Sequence, residues 1–173
     1  MRIYRSPLLL RWLFPSAIWK GDDKHAVYLT FDDGPSESLT PWILQILKDA
    51  NVQATFFCVG NNVKKHPDLF RQIIADGHLV GNHTMHHENG LKTAAFDYLH
   101  SVDQANTLIQ SNLFRPPYGK LTMKQYFQLK KRNLQVVFWS WLSYDFDPKQ
   151  CSDKLKTKAQ SIKGGDILVF HDN

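Results

Sequence analysis

Residues 26–35 read AVYLTFDDGP. The apolar run predicts a buried strand, and Gly34-Pro35 predicts the turn that ends it. Two carboxylates sit at that end. Neighbours in an extended chain point to opposite sides, so Asp32 and Asp33 share a site only if the strand turns there, as Gly34-Pro35 would allow. The plainer reading is an Asp-Gly-Pro surface turn, which is common.

Outward from this strand, apolar runs alternate with helical patterns. Thr40-Pro41 predicts an N-cap followed by proline at the first helical position. Residues 42–50 then place Ile43, Leu44, Ile46 and Leu47 on one broad face. Further strands are expected at 54–59, 78–82, 113–117, 134–142 and 166–170, with helices at 67–77, 93–110, 123–133 and 152–162. About six strands separated by helices predict βαβ units in a parallel sheet or barrel. In such folds the chemistry lies at the carboxyl ends of the strands. Asp32, Asp33, His83, His87, Arg115 to Gly119, Asp145 and His171 all fall at or just beyond those ends.

The stretch GNHTMHH (81–87) holds three histidines in five positions. His83 and His87 are spaced i, i+4, which on a helical turn puts both rings on one face, able to share a metal. His86 points elsewhere. Asp33 is a candidate third ligand. Two nitrogens and one carboxylate leave a water position on a tetrahedral zinc, as in catalytic sites. The other carboxylate could then take a proton from that water. Surface histidines near a helix start are the plainer alternative. Arg115 could hold a carboxylate through its fork of donors. Pro116 and Pro117 stiffen the chain so that the backbone N–H groups of 118–119 reach an oxyanion. His171, at a strand tip, is a candidate general acid, although a lone histidine there is more often structural.

Composition bounds the rest. The chain has 173 residues, enough for one domain with a real core. With 43% hydrophobic and 21% charged residues, global disorder is excluded as a class. The net charge of +5 is scattered, and its longest cluster, Lys130 to Arg132, falls at a helix end where cations suit the dipole. Nucleic acid is therefore not the expected partner. The two cysteines, Cys58 and Cys151, make no disulfide framework, and Cys58 reads as a small buried apolar residue. In the N-terminal stretch 1–19, Arg11 and Pro15 interrupt the apolar run. No cleavable signal peptide is recognised, and the run is too short to span a bilayer. Residues 1–24 are read as an amphipathic arm, packed on the domain or lying on a surface. Residues 1–20 would be the peripheral membrane contact, and 25–173 the domain proper.

TFDDGP (30–35), NHTMHH (82–87), FRPPYG (114–119), WSWLSYDF (139–146) and ILVFH (167–171) together resemble the five ordered motifs of the NodB-type polysaccharide deacetylases, carbohydrate esterase family 4. The resemblance runs from residue 26 to 171. It implies a distorted (β/α) barrel, a zinc-like divalent metal (cobalt, nickel, manganese or iron being alternatives), and removal of acetyl groups from N-acetylglucosamine-containing glycans, chitin-like or peptidoglycan, or of O-acetyl from xylan. It implies Asp32 as general base, Asp33, His83 and His87 as metal ligands, and Arg115 as the residue orienting the base. It further implies that the Tyr118 N–H, behind Pro117, binds the oxyanion and that His171 is the general acid. His86 has no role in it.

Two departures stand out. The fourth motif usually ends Asp-Trp and here ends Asp145-Phe146, so Phe146 would form an apolar wall with less stacking area. An earlier aspartate of that motif is Leu142 here, which leaves Asp145 to tune His171. The chain ends two residues past the last motif, where relatives usually continue. A partial chain and a barrel left open beside His171 both fit. A glycan substrate favours the cell envelope or periplasm, and a monomer is expected. The alternative functions are a catalytically weak metal- and glycan-binding relative, and a basic partner-binding domain without metal.

Overall fold

The computed structural model describes residues 4–6 and 8–173, except for the side chains of Leu8 and Leu9. Its helices are α1 (Leu8–Leu13), α2 (Thr40–Asp49), α3 (Gly60–Lys65), α4 (Pro67–Ala75), α5 (Ala95–Ile109), α6 (Met123–Lys131) and α7 (Ser152–Ala159). The strands are β1 (Tyr28–Asp32), β2 (Thr55–Cys58), β3 (Leu79–Asn82), β4 (Leu113–Phe114), β5 (Gln135–Val136), β6 (Trp141–Leu142) and β7 (Ile167–His171). All pair in parallel, in the order β5-β4-β3-β2-β1-β7-β6.

That order requires curvature. Laid flat, β5 and β6 would be six strand spacings apart, about 29 Å. The chain from Val136 to Trp141 can reach only about 18 Å. The sheet therefore curls into a distorted (β/α) barrel, and residues 135–142 bridge its two edges. Val137 N–H donates to Phe114 O on one edge, while Ser140 N–H donates to Ile167 O on the other. The single strand expected at 134–142 is thus two short strands with different partners, and the described strands number seven rather than about six.

Other boundaries shift for local reasons. The residue before α2 is Leu39, not Thr40. Thr40 cannot cap because its hydroxyl accepts from Ser36 N–H and donates to Asp172 Oδ2. On α2, Ile43, Leu44 and Leu47 are buried, but Ile46 lies on the far side of the stripe, 45% exposed. The short helix α3 was not anticipated: GNNVKK has too few apolar positions to show a period. Thr122 and Gln125 form a capping box at α6, and Lys130 and Lys131 occupy its last turn, as the helix dipole favours.

Of the described N-terminal residues, several pack on the barrel. Phe14 and Trp19 join the buried cluster of Tyr98, Phe114, Tyr126 and Phe138. The Trp19 ring stacks on Phe138 at 4.3 Å, and Arg5 pairs with Asp166 at 2.8 Å. Trp12 stays exposed. No helix among the described residues is long and apolar enough to cross a membrane. Cys58 is buried, as its apolar surroundings suggested, and Cys151 is exposed; both are free thiols.

Candidate active site

A cleft of about 360 Å³ opens at the carboxyl ends of the strands, lined among others by Asp32, Asp33, His83, His87, Tyr118 and His171. β1 delivers the two aspartates. Asp33 takes a left-handed conformation, φ 82°, which aspartate tolerates better than most residues. This breaks the strand alternation that would have sent the carboxylates apart, so both line the cleft. The turn is held by Asp33 N–H donating to Phe57 O at 3.2 Å and by Asn62 Nδ2 donating to Asp33 O at 2.7 Å.

His83 and His87 do not sit on a helix. They lie on the loop after β3, where Thr84 and His87 have positive φ of 65° and 60°. Asn82 Oδ1 accepts from Thr84 N–H and shapes that loop. The rings still converge, 5.1 Å between centroids. His83 Nδ1 lies 2.7 Å from Arg115 O. A carbonyl oxygen only accepts, so Nδ1 carries the proton and Nε2 turns its lone pair to the cleft. His86 is exposed, and its Nδ1 accepts from Asn61 Nδ2, away from this group.

Asp33 Oδ1 lies 3.4 Å from His83 Nε2 and 3.0 Å from His87 Nε2. It is buried, yet forms no hydrogen bond of acceptable geometry. Three ligand atoms within 4.8 Å of one another, one of them a buried oxygen with no proper donor, fit a divalent cation between them.

Beside this cluster, Arg115 is fully buried. Its Nη1 donates to Asp32 Oδ1 at 2.7 Å and to Thr30 Oγ1 at 2.6 Å. Nε and Nη2 donate to the carbonyls of Val137 and Phe138, and the guanidinium lies 4.1 Å over the Phe57 ring. One arginine therefore holds Asp32 with its side chain and sets the His83 tautomer with its carbonyl. On the opposite wall, His171 Nδ1 is 2.7 Å from Asp145 Oδ1, and His171 N–H donates to Asp145 Oδ2 at 2.8 Å. Burial would lower the His171 pKa, but the bond to Asp145 and the charges of Asp32, Asp145 and Asp33 raise it above its ordinary value. Burial would raise Asp145, but the bond to His171 holds it below the usual range. The Phe146 ring meets His171 edge-on at 4.9 Å.

After β4, Pro117 opens a short 3-10 turn, Pro117–Gly119, in which Tyr118 has φ 59°. The Gly119 N–H donates to Pro116 O at 2.9 Å. Of the two N–H groups expected to face an oxyanion, that of Gly119 is therefore already bonded within the turn. Sequence reasoning missed Asn62 and Asp172. Both lie just past the carboxyl end of a strand, β2 and β7, so the rule that picked out the other site residues would have found them.

A cluster able to hold a divalent cation, flanked by an arginine-held aspartate and an aspartate-held histidine, is the equipment of a hydrolase. A family model described as polysaccharide deacetylase matches residues 20–137, and the chain belongs to that family. It is 55% identical to a chitooligosaccharide deacetylase of Rhizobium leguminosarum bv. trifolii, over 88% of this chain and 74% of the relative. It is 37% identical to a peptidoglycan-N-acetylglucosamine deacetylase of Bacillus cereus over 86% of this chain, spanning only 56% of that relative's length. A crystal structure of a peptidoglycan N-acetylglucosamine deacetylase superposes with a TM-score of 0.89 and 29% identity, over 97% of this chain and 81% of that one.

Proposed function

We propose that the chain removes acetyl groups from N-acetylglucosamine-containing glycans, chitin-like or peptidoglycan, by attack of water, as a hydrolase that depends on a divalent metal, most simply zinc. The observation that carries this reading is the buried, unbonded Asp33 Oδ1 facing two histidine Nε2 atoms, with Asp32 on one side and His171 on the other. Asp33, His83 and His87 would hold a divalent ion, which would supply Lewis acidity and a water with its pKa lowered towards ~7. Cobalt, nickel, manganese or iron suit the same donors.

The chain's own groups do the rest. Asp32 is the general base and takes a proton from the attacking water. Arg115 fixes its Oδ1, which leaves Oδ2 for that task. The Tyr118 N–H donates to the developing oxyanion, contributing on the order of 3 kcal/mol for one well-placed donor. His171 then gives its proton to the leaving amine nitrogen as the C–N bond breaks, and acetate and a free amine result. Phe146, over half exposed, forms an apolar wall beside His171 for the sugar.

Acetate release from N-acetylglucosamine oligomers, measured on zinc-loaded protein and again after chelation, tests this reading. Release that stops on chelation and returns with zinc is expected. Undiminished oligomer binding with no release would instead mark a binding relative that does not turn over.

The His171 proton gives a sharper test. An acid raised by Asp145 stays protonated to higher pH, so the basic limb of kcat/KM reports it. Asp145→Asn removes the negative charge and is expected to move that limb towards lower pH. A limb that does not move would separate it from His171.

A further inference from the structure

Asp172 is a carboxylate only 1% exposed, directly after His171. Each of its polar groups meets the end of β1 or the segment that follows it. Its N–H donates to Asp32 O at 3.1 Å. Its Oδ1 accepts from Gly34 N–H at 2.9 Å, and its Oδ2 accepts from Thr40 Oγ1 at 2.7 Å. Its carbonyl accepts from the Ser36 hydroxyl. From the other side, Val59 N–H donates to Gly34 O at 3.0 Å, and Asn62 holds Asp33 O.

The fit is close enough to dictate a residue type. A Cβ on residue 34 would fall onto the Asp172 carboxylate, so glycine is needed there for approach, not for φ. Burial, aided by the nearby charges of Asp32 and Asp33, pushes Asp172 up to about 7, against the opposing bonds from Thr40 and Gly34. An apolar side chain in its place would leave the Gly34 N–H and Thr40 hydroxyl buried without these partners, a cost comparable to the bonds themselves.

We infer that Asp172 is a positioning residue that clamps the Asp32-Asp33-Gly34 turn to the end of β7, setting base and metal ligand against the neighbouring His171. Asp172 touches no substrate in this assignment. It acts through Asp32 and Asp33, and so rests on the roles proposed for them.

The test uses the full chain with Asp172→Ala, Asp172→Asn and Thr40→Val. Zinc affinity is measured by competition with a chromophoric chelator, kcat and KM by acetate release, and folding by thermal melt. Asp172→Ala is expected to weaken zinc and lower kcat by roughly 10–100-fold, the range for contacts that support a ligand, with KM nearly unchanged. Asparagine keeps an acceptor for Gly34 N–H, and its amide can donate to Thr40 Oγ1, so it is expected to recover most of the loss. Thr40→Val removes one of the bonds to the Asp172 carboxylate, together with the one that Ser36 N–H makes to the same hydroxyl, and should fall between.

A lower melting temperature with unchanged zinc affinity and kcat would make Asp172 merely structural and overturn the inference. If Asp172→Ala does not fold, Thr40→Val decides on the same two readouts. If the unaltered protein releases no acetate, the zinc measurements still decide whether Asp172 positions Asp33. If it is active and the variants match it, the clamp fails and the deacetylase reading stands.

Discussion

Zinc titrated into chelator-stripped protein is expected to fill one site per chain, and that site should vanish in His83→Ala and in His87→Ala but survive in His86→Ala. Each of the first two variants removes one of the three atoms that converge within 4.8 Å. Only two ligands then remain. The loss should exceed the roughly 10–100-fold that follows from deleting a contact behind a ligand. His86 is adjacent in sequence and chemically identical, so it controls for unspecific imidazole binding. Its Nδ1 is committed to Asn61, and the ring lies outside the cluster. Calorimetry gives stoichiometry and affinity together. Equal loss in all three variants would show that the loop, not the donor set, had been disturbed. Folded, unaltered protein that takes up no zinc, cobalt or nickel would remove the proposed mechanism.

The strand-end rule made the neighbourhood of these residues readable from sequence. Asp32, Asp33, His83, Arg115 and His171 each follow or end an apolar run, and the parallel sheet carries all of those ends to one side. What was hidden depended on distant pairing or on backbone sign. Residues 134–142 carry one continuous apolar pattern, and nothing local says that the first half pairs with β4 and the second with β7. The i, i+4 histidines suggested a helical turn, yet two positive-φ residues bring the rings together on a loop. Spacing alone does not separate those solutions. Thr40 looked like a helix cap because serine and threonine before proline commonly are. Its hydroxyl is instead occupied by Asp172, more than a hundred residues away in the chain.

Asp32→Asn is expected to keep the zinc site and lose turnover. Asparagine preserves the shape of the side chain, and its amide oxygen can still accept from Arg115 Nη1, so the fully buried guanidinium keeps a partner along with its bonds to Thr30, Val137 and Phe138. That matters because deleting one member of a buried ion pair outright typically costs about 3–5 kcal/mol in stability. An amide, however, cannot take a proton from water. The loss in kcat should be roughly 10²–10⁴-fold, the usual contribution of a positioned base, with KM little affected. Zinc affinity should change far less, since Asp32 is not one of the three converging donors. The companion variant Asp33→Asn should show the opposite order, losing zinc first and activity with it. Acetate release at saturating zinc, read beside the zinc dissociation constant, separates the two aspartates. Asp32→Asn retaining kcat within about threefold would remove it as the base. Asp32→Asn losing zinc as completely as Asp33→Asn would mean that both carboxylates serve the metal, leaving the proton acceptor to be sought among the other groups of the cleft.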